Sequence, residues 1–496
     1  MQTELINLLK QQGPGRISPT AYDTAWVARL VDIDRELSNL ALEWLTENQL
    51  PDGSWGAKVP FYYHDRVIST LAAMIALTHR GRRAHDRQQI DRGLFALERM
   101  SSDATRGLMA DPNGATAGFE MIVPTLLAEA EKLGIIKRQG DRILGRLVKQ
   151  REAKIAILRD RKIDRAMTAA FSAEMAGTDA QSMLDLENIQ EADGSISHSP
   201  SATAYYLAQV NPADSAALAY LHQVVDKDGG APMAMPFEIC ERAWVLWNIS
   251  FLSHLDEEVV ALCQPHLDAL RASWRPLHGV GFTKDHSVTD GDDTSLTFDV
   301  LSRFGHKVDF ETLLQFEERD HFRCYPLEIT YSVSTNVHFL GALRQMGFKE
   351  SHPMVQKVIK YLFQTRAFDS FWFDKWQTSP FYTTADAIMI CSDFYKPLIE
   401  NSIQWLIAKQ SADGSWGYYE TPTAEETSYA LQALSIWKRN GGKVDSRILS
   451  RGLAWLMDHE NTPRPHLWIA KSLNYSEWIM QTELITAKLL VQEVLG

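Results

Sequence analysis

Residues 49–56 read QLPDGSWG, and the pattern returns at residues 410–417 as QSADGSWG. A shorter copy, QEADGS, occupies residues 190–195, and Asp228-Gly229-Gly230 is a further remnant. Each copy follows one helical segment and precedes another. The Asp-Gly pair forms a tight turn with positive φ at glycine, while Gln and Trp can hold successive helices together. The repeat therefore predicts helix–turn–helix units that close into barrels, with an open α-solenoid for protein binding as the alternative.

Apolar residues in the rest of the chain recur mostly at three- and four-residue spacing, which is typical of helices. Clear examples are Leu37-Leu40-Leu42-Leu45, Ile68-Leu71-Met74-Ile75 and Val123-Leu126-Leu127-Ala130. Alternating polar and apolar residues, which would indicate strands, are nearly absent. The linkers are short and rich in Gly, Pro, Asp and Asn. The predicted fold class is all-α, built from packed helix pairs.

Composition limits the classes of function. A chain of 496 residues predicts roughly two to four domains. Its formal charge of −13 argues against a nucleic-acid partner. The N-terminus lacks a basic segment followed by an apolar run, and no stretch is apolar for long enough to span a bilayer. The four cysteines are scattered, with no disulfide framework or metal-ligand spacing, so we expect a cytoplasmic location.

A second motif concentrates charge. Residues 288–295 read VTDGDDTS and hold three carboxylates within four residues: Asp290, Asp292 and Asp293. The apolar residues that follow recur every four positions and predict an amphipathic helix, with these carboxylates at its positively polarised start. A plain helix cap is one alternative. Half of a calcium loop is another, although no Glu stands at the twelfth position.

Four motifs together resemble the class II terpene cyclases. The repeat is similar to the Gln-Trp motif of that superfamily, and residues 290–293, DGDD, fit its DxDD signature. Residues 18–28, SPTAYDTAWVA, and 199–204, SPSATA, resemble segments of diterpene cyclases, above all the bacterial halimadienyl and kolavenyl (clerodienyl) diphosphate synthases. The resemblance implies two α-helical barrels with the active site between them. It implies a γ domain at residues 17–222, inserted in a β domain made of residues 1–16 and 223–496.

The chemistry that this resemblance implies begins with protonation of an alkene, which needs a strong acid and a site that excludes water. Crowded carboxylates can share protons because like charges resist joint ionisation. The resemblance assigns the proton donor to Asp292, positioned and polarised by Asp290 and Asp293. Ser334 and His338 lie four residues apart and share a helical face. Their positions resemble those of hydrogen-bonding partners of the acid in relatives.

The substrate implied by the resemblance is geranylgeranyl diphosphate. Carbocations are stabilised by aromatic faces, and the candidates are Phe282, Trp244 and Trp376, with core packing as the alternative for each. Lys154 matches a lysine that contacts the diphosphate in relatives, and Lys375 is a second candidate; solvated surface is the alternative for both. Relatives carry an acidic motif linked to Mg²⁺ just before a Gly-Phe-Glu segment that matches residues 118–120, which makes Asp111 and Glu120 the candidate ligands here. Only one carboxylate remains in residues 111–114, so a Mg²⁺–diphosphate complex is expected rather than direct ligation by the protein.

The expected product follows from two positions at which this sequence differs from relatives that make copalyl diphosphate. In plant copalyl diphosphate synthases a His and an Asn help to remove the final proton, and the matching positions here resemble Phe171 and Met233, which cannot. A cation that persists undergoes hydride and methyl shifts, so we predict a rearranged kolavenyl (clerodane) or halimadienyl diphosphate rather than unrearranged copalyl diphosphate. The sequence contains no DDxxD motif, so the diphosphate should survive for a downstream diterpene synthase or phosphatase.

Rival interpretations come from other classes. A triterpene cyclase of the squalene–hopene type shares the fold and the acid motif but lacks the opening at residues 18–28. A zinc prenyltransferase subunit would need Asp, Cys and His ligands in a defined set. A glycosidase would need two carboxylates roughly 5–9.5 Å apart. The non-enzymatic alternative is an α-helical repeat scaffold, which would need neither a deep pocket nor Asp292.

Overall fold

The computed structural model describes residues 2–80, 84–102, 111, 113–137, 141–158, 161–326, 328 and 330–496. It confirms the all-α fold class, because each of the two strands is only two residues long. The first part contains α1 (Thr3–Gln11), α2 (Ala21–Val27), α3 (Arg35–Glu47), α4 (Tyr63–Arg80), α5 (Ala84–Ser102), α6 (Phe119–Lys132), α7 (Asp141–Ile157), a 3-10 helix (Thr168–Ala176), α8 (Ala180–Met183), α9 (Pro200–Gln209) and α10 (Ser215–Val224).

The second part begins with α11 and ends with α21. Its elements are α11 (Glu238–Ile249), α12 (Glu257–Ser273), α13 (Gly291–Arg303), α14 (Glu311–Leu314), α15 (Val333–Gln345), α16 (Pro353–Thr365), α17 (Pro380–Cys391), a 3-10 turn (Lys396–Leu398), α18 (Glu400–Ala408), α19 (Ala424–Arg439), α20 (Ser446–His459), β1 (Trp468–Ile469), β2 (Leu473–Asn474) and α21 (Glu477–Leu495). None of the helices in the described ranges combines the length and apolar character needed to cross a bilayer.

Helices of the second part form a closed ring. The order around it is α11, α13, α15, α17, α19 and α21, and α21 packs back against α11. Helices α12, α16, α18 and α20 pack against ring members, as does the N-terminal α1, which lies against α12 and α21. The acid motif at residues 290–293 starts one of the ring helices, α13. Ring closure therefore surrounds it with side chains from distant parts of the sequence.

A smaller ring lies in the first part. Helix α2 packs against α4, α4 against α6, α6 against the 3-10 helix, the 3-10 helix against α9, and α9 against α2. Helices α3, α5, α7 and α10 pack against members of this ring. The 3-10 helix takes the place of a regular ring helix and carries Phe171, one of the predicted substrate residues.

The apolar core follows the two rings. One large cluster of buried side chains spans residues 21–231, and the other combines residues 5–9 with residues 234–491. Helix α1 therefore packs with the second part although it is the first helix of the chain, which is the arrangement that an inserted domain implies. The exact boundaries, residues 17–222 against residues 1–16 and 223–496, stay a prediction.

The repeated motif fixes the helix–turn–helix corners. In the first copy, the Trp55 indole N–H donates to the Leu45 carbonyl oxygen at 2.8 Å, and Gly53 has a φ of 91°. The copy at residues 410–417 repeats both features, with Trp416 donating to the Leu406 carbonyl oxygen at 2.8 Å. Each buried indole thus ties the turn back to the preceding helix, as the sequence predicted.

One further copy escaped the sequence analysis. The Trp372 indole N–H donates to the Leu362 carbonyl oxygen at 2.7 Å, as the other two Trp residues do to their preceding helices. Arg366 stands six residues earlier, where Gln410 stands before Trp416, and donates to the Leu398 carbonyl oxygen at 2.8 Å. The Asp-Gly pair and the Gln are missing, so only the packing reveals this copy.

Candidate active site

The acid motif caps helix α13. Asp290 precedes the helix, and its Oδ1 accepts a hydrogen bond from the Asp293 backbone N–H at 2.8 Å, which satisfies a free donor of the first turn. Gly291 packs so closely that a Cβ there would lie 2.3 Å from the Arg323 carbonyl oxygen. The motif is therefore a helix cap, as the first alternative predicted, but the cap uses only one of the three carboxylates.

Burial sets the protonation of the cluster. Burial, and next the negative charge of Asp293, raise the pKa of Asp290 well above its ordinary value. Burial, and next the charge of Asp292, raise the pKa of Asp293 to about 6. Neighbouring carboxylates in a poorly solvated site resist joint ionisation. Asp290 and Asp293 therefore hold protons more tightly than free aspartates do.

Asp292 belongs to a chain of acid, imidazole and acid. Its Oδ1 lies 2.7 Å from Nδ1 of the buried His338, whose Nε2 lies 3.8 Å from Oδ2 of Asp386. Burial lowers the pKa of His338, but the charge and hydrogen bond of Asp292, with the charge of Asp386, raise it to about 10. When Asp292 is ionised, His338 is thus an imidazolium near neutral pH. It stabilises the carboxylate that Asp292 becomes after giving up a proton.

Two buried thiols lie against the same motif. The Cys324 Sγ lies 3.9 Å from Oδ1 of Asp290. Cys240 hydrogen-bonds Asp293, which lowers the pKa of that carboxyl against the larger effect of burial. All four cysteines are free and buried, and these two line the cavity described next. Sequence analysis missed both, because cysteines far apart in sequence give no spacing signal.

A cavity of about 570 Å³ opens onto the acid motif, and Asp290, Asp292 and Asp293 all line it. This volume lies within the roughly 300–1,000 Å³ range of small-molecule sites. Its walls come from both rings and include predicted substrate residues Phe171, Met233, Trp244, Phe282 and Trp376. The side chain of Asp292 is 18% exposed, so the acid is accessible from the cavity while Asp290 is buried.

The predicted diphosphate ligands differ in accessibility. Lys154 and Arg161 both line the cavity, and Lys154 forms an ion pair with Glu120. The Lys375 ammonium instead pairs with Glu328, donates a hydrogen bond to the Thr330 carbonyl oxygen at 3.1 Å, and lies 4.6 Å from the Trp376 ring centroid. The charge of Lys375 is thus already neutralised. It braces Trp376 rather than presenting a free cation.

Ser334 does not reach the acid. Its hydroxyl lies 3.1 Å from the Ser332 hydroxyl, and its backbone N–H donates to Oδ1 of Asp374 at 3.0 Å. Ser334 stands in the first turn of α15, where Asp374 satisfies the free backbone donors, whereas His338 stands one turn later, beside Asp292. The shared helical face was predicted correctly, but only His338 on that face contacts the acid.

The predicted Mg²⁺ ligands do not fit that role. The Asp111 carboxylate accepts hydrogen bonds from the backbone N–H groups of Tyr63 and His64, at 3.0 and 2.9 Å, and its Oδ2 lies 2.6 Å from Nδ1 of His64. Asp111 thus caps helix α4, and Glu120 is held by Lys154. Pro112, within the same predicted motif, lies outside the described residues.

Sequence analysis also missed Lys471. This buried lysine follows β1 and enters the first ring, where its Nζ lies 2.8 Å from Oε1 of Glu174 and 2.7 Å from the Phe171 carbonyl oxygen. Its ammonium lies 4.6 Å from the Phe171 ring centroid. A lysine in a polar turn gave no sign of burial in the sequence. It ties the two rings together and fixes Phe171 at the cavity wall.

Replacing one carboxyl of the cluster should stabilise the protein at alkaline pH. The pKa of Asp293 is raised from its ordinary value of 3.8 to about 6, so its ionisation costs folding free energy that grows between these two pH values and stays constant above them. We expect Asp293→Asn to raise the free energy of unfolding by roughly 1–3 kcal/mol at pH 8 and by little at pH 4. Urea unfolding at both pH values measures this, with the exposed Asp285→Asn as control. An equal change in the free energy of unfolding at pH 4 and pH 8 would contradict this prediction.

Comparisons with known proteins agree with the fold and cavity. The sequence model of the squalene-hopene cyclase C-terminal domain family matches residues 329–474. A type B diterpene cyclase of Mycobacterium tuberculosis (strain ATCC 25618 / H37Rv) is 46% identical over 501 residues, covering 99% of each chain. The chloroplastic ent-copalyl diphosphate synthase 1 of Oryza sativa subsp. japonica is 32% identical and covers 70% of this chain but 39% of its own length. The solved ent-copalyl diphosphate synthase from Streptomyces platensis has a TM-score of 0.79 at 25% identity, covering 99% of both chains.

Two closed helical rings and an acid cluster facing a cavity between them define a class II terpene cyclase. The similarity to a diterpene cyclase over 99% of both chains narrows the class of enzyme. The chain belongs to the class II diterpene cyclases, which are isomerases acting on small prenyl substrates. The scaffold, prenyltransferase and glycosidase interpretations are thereby set aside.

Proposed function

We propose that this enzyme protonates an alkene of geranylgeranyl diphosphate from Asp292 and forms a rearranged bicyclic diterpenyl diphosphate of the kolavenyl (clerodane) or halimadienyl type. The observation that carries the proposal is the position of Asp292. It faces the cavity on one side and the His338 imidazolium on the other. An acid so placed can release a proton to a bound alkene while its own negative charge is compensated at once.

The cavity suits the cation that follows protonation. Trp244, Phe282 and Trp376 line its wall, and an aromatic face beside a cation stabilises it by roughly 0.5–2 kcal/mol. Trp244 also packs edge-on against His338, with ring centroids 5.1 Å apart. Trp244 therefore contacts the imidazole beside the acid and also lines the wall that would stabilise the carbocation.

The diphosphate would bind near Lys154 and Arg161, which are cations of the cavity lining. Binding it requires Lys154 to share or exchange its ion pair with Glu120. Because Asp111 is fully used in capping, we propose that Mg²⁺ enters only as a complex with the diphosphate, without Asp111 as ligand. With no DDxxD motif in the sequence to ionise it, the diphosphate stays on the product and passes to a downstream diterpene synthase or phosphatase.

The product class rests on Phe171 and Met233. Both side chains line the cavity, and neither a phenyl ring nor a thioether can accept a proton or hold a basic water. A bicyclic cation beside them is not quenched early, so it has time for hydride and methyl shifts. Unrearranged copalyl diphosphate is the alternative product.

The direct test is incubation of the purified enzyme with geranylgeranyl diphosphate and Mg²⁺, followed by phosphatase treatment and identification of the alcohol by mass spectrometry and NMR. A bicyclic alcohol with migrated methyl groups is expected. An unrearranged bicycle would keep the enzyme class and remove the argument from Phe171 and Met233. Unreacted geranylgeraniol would direct the assay to squalene and shorter prenyl diphosphates.

Restoring the base should change the product. We expect Phe171→His combined with Met233→Asn to divert most of the product to the unrearranged skeleton, because the Lys471 ammonium near position 171 favours a neutral imidazole there. Product ratios by gas chromatography measure this. Met121→Asn, which adds an amide at another position of the cavity wall, is the control and should leave the ratio unchanged. An unchanged ratio in the double variant would count against this account of product choice.

A further inference from the structure

A second polar cluster lies beside the cavity, at the loop that leads to the acid helix. Glu191 and His198 belong to the segment around the shortened repeat at residues 190–195, and His286 comes from the loop that leads to α13. All three side chains are buried, and one potential ligand atom from each lies within 4.8 Å of the others. The proposed steps of cyclisation use none of them.

His198 has the arrangement of a metal ligand. Its Nδ1 lies 3.0 Å from Oδ2 of Asp193, while its Nε2 is buried and has no hydrogen-bond partner. A carboxylate that holds one ring nitrogen fixes the tautomer and leaves the other nitrogen with a free lone pair.

His286 and Glu191 complete the set. Nδ1 of His286 is also buried without a hydrogen-bond partner and lies 3.4 Å from Oε1 of Glu191. Two ligands of a tetrahedral ion at the usual Zn–N and Zn–O distances are about 3.3 Å apart. The Ser287 hydroxyl donates to Oε2 of Glu191 at 2.6 Å and orients the carboxylate.

We propose that Glu191, His198 and His286 bind one divalent transition cation of the Zn²⁺ type. Two imidazoles and one carboxylate suit Zn²⁺ or Co²⁺, whereas Mg²⁺ prefers oxygen ligands. This site is separate from any Mg²⁺ that accompanies the substrate. Binding requires a rotation of the side chains that draws the three ligand atoms together.

The position of the site indicates what the cation would do. It joins the shortened repeat of the first part to the loop at residues 282–290. In that loop Phe282 forms part of the cavity wall, with its ring centroid 4.3 Å from that of His286. Asp290 follows His286 by only four residues. A bound cation would hold the wall of the cavity and the start of the acid helix against the opposite ring.

The test uses the full chain without a histidine tag, stripped with a chelator and titrated with Co²⁺ or Zn²⁺. We expect one equivalent to bind, with visible Co²⁺ absorption bands of a nitrogen-containing site and a rise in melting temperature. His198→Gln and His286→Gln should each weaken binding at least tenfold. His266→Gln is the matched control: His266 is a buried histidine bonded to the Leu9 carbonyl oxygen, which Gln can also reach. It should bind as the wild type does.

Circular dichroism of each variant checks that it is folded. The absence of saturable one-to-one binding would overturn the proposal, as would equal binding by folded His198→Gln and His286→Gln variants. The cluster would then be a hydrogen-bond network without a metal. These readouts need no substrate, so they do not depend on which diterpene the enzyme makes.

Discussion

Asp292→Asn is expected to fold normally and to lose roughly 10³–10⁴-fold in kcat, the scale of a general acid's contribution. The amide keeps the size and polarity of the side chain and can still hydrogen-bond His338, but it has no acidic proton to give. Asp290 is buried and committed to capping α13, so it cannot replace Asp292 at the cavity surface. The effect should fall on kcat rather than KM, because an alkene forms no strong bond to the acid before protonation.

Steady-state turnover of geranylgeranyl diphosphate measures this loss, with circular dichroism and thermal melting as checks on folding. Asp285→Asn is the matched control, because Asp285 precedes the acid helix by a few residues and its side chain is 66% exposed. It should keep full activity. An Asp292→Asn variant that turns over at more than about a tenth of the wild-type rate would remove Asp292 as the proton donor.

The fold could be predicted because its signals are local. The Gln-Trp copies at residues 49–56 and 410–417 encode a turn through Asp-Gly and a link through the buried indole, and both are visible in sequence. The copy around Trp372 could not be predicted, because Arg366 stands at the position of Gln and makes the corresponding hydrogen bond, and because the turn lacks glycine. Its identity lies in a hydrogen bond to the Leu362 carbonyl oxygen rather than in a residue pattern.

The site was predictable only where chemistry and local structure coincide. The three carboxylates at residues 290–293 stand together in sequence, so they could be found and their proximity assumed. Asp386, Cys240 and Cys324 come to the same place only through closure of the second ring, in which α11, α13, α15 and α17 are neighbours. Spacing along the chain carries no trace of that closure.

Charge pairing explains the predictions that the structure changed. Lys375 was chosen by residue type and Asp111 by its position in relatives, yet both charges are already used, by Glu328 and by the helix α4 terminus. Sequence shows that a charge exists but not whether a buried partner has neutralised it. The buried ring nitrogens of His198 and His286 that lack a hydrogen-bond partner are informative about ligand binding for the same reason. Burial without a partner costs folding free energy.

His338→Phe is expected to lower kcat by roughly 10²–10³-fold, and His338→Gln by less, because only the imidazolium both binds and compensates the Asp292 carboxylate. Gln can keep the contact that spans 2.7 Å in the wild type but carries no charge. Burial lowers the pKa of His338, and the pairing with Asp292 and Asp386 raises it to about 10. The pair therefore stabilises the fold fully below pH 6.5, and this stabilisation is lost as pH rises through about 10.

The two substitutions separate charge from packing. If His338 acts through its charge, both variants should lose kcat with little change in KM, and both should lose the part of the pH dependence of unfolding that falls between pH 6.5 and about 10. His352→Gln is the control, since His352 caps α16, away from the acid. If His338→Gln kept full activity, the hydrogen bond alone would suffice. The acid would then draw its strength from the crowding of Asp290, Asp292 and Asp293 rather than from the imidazolium.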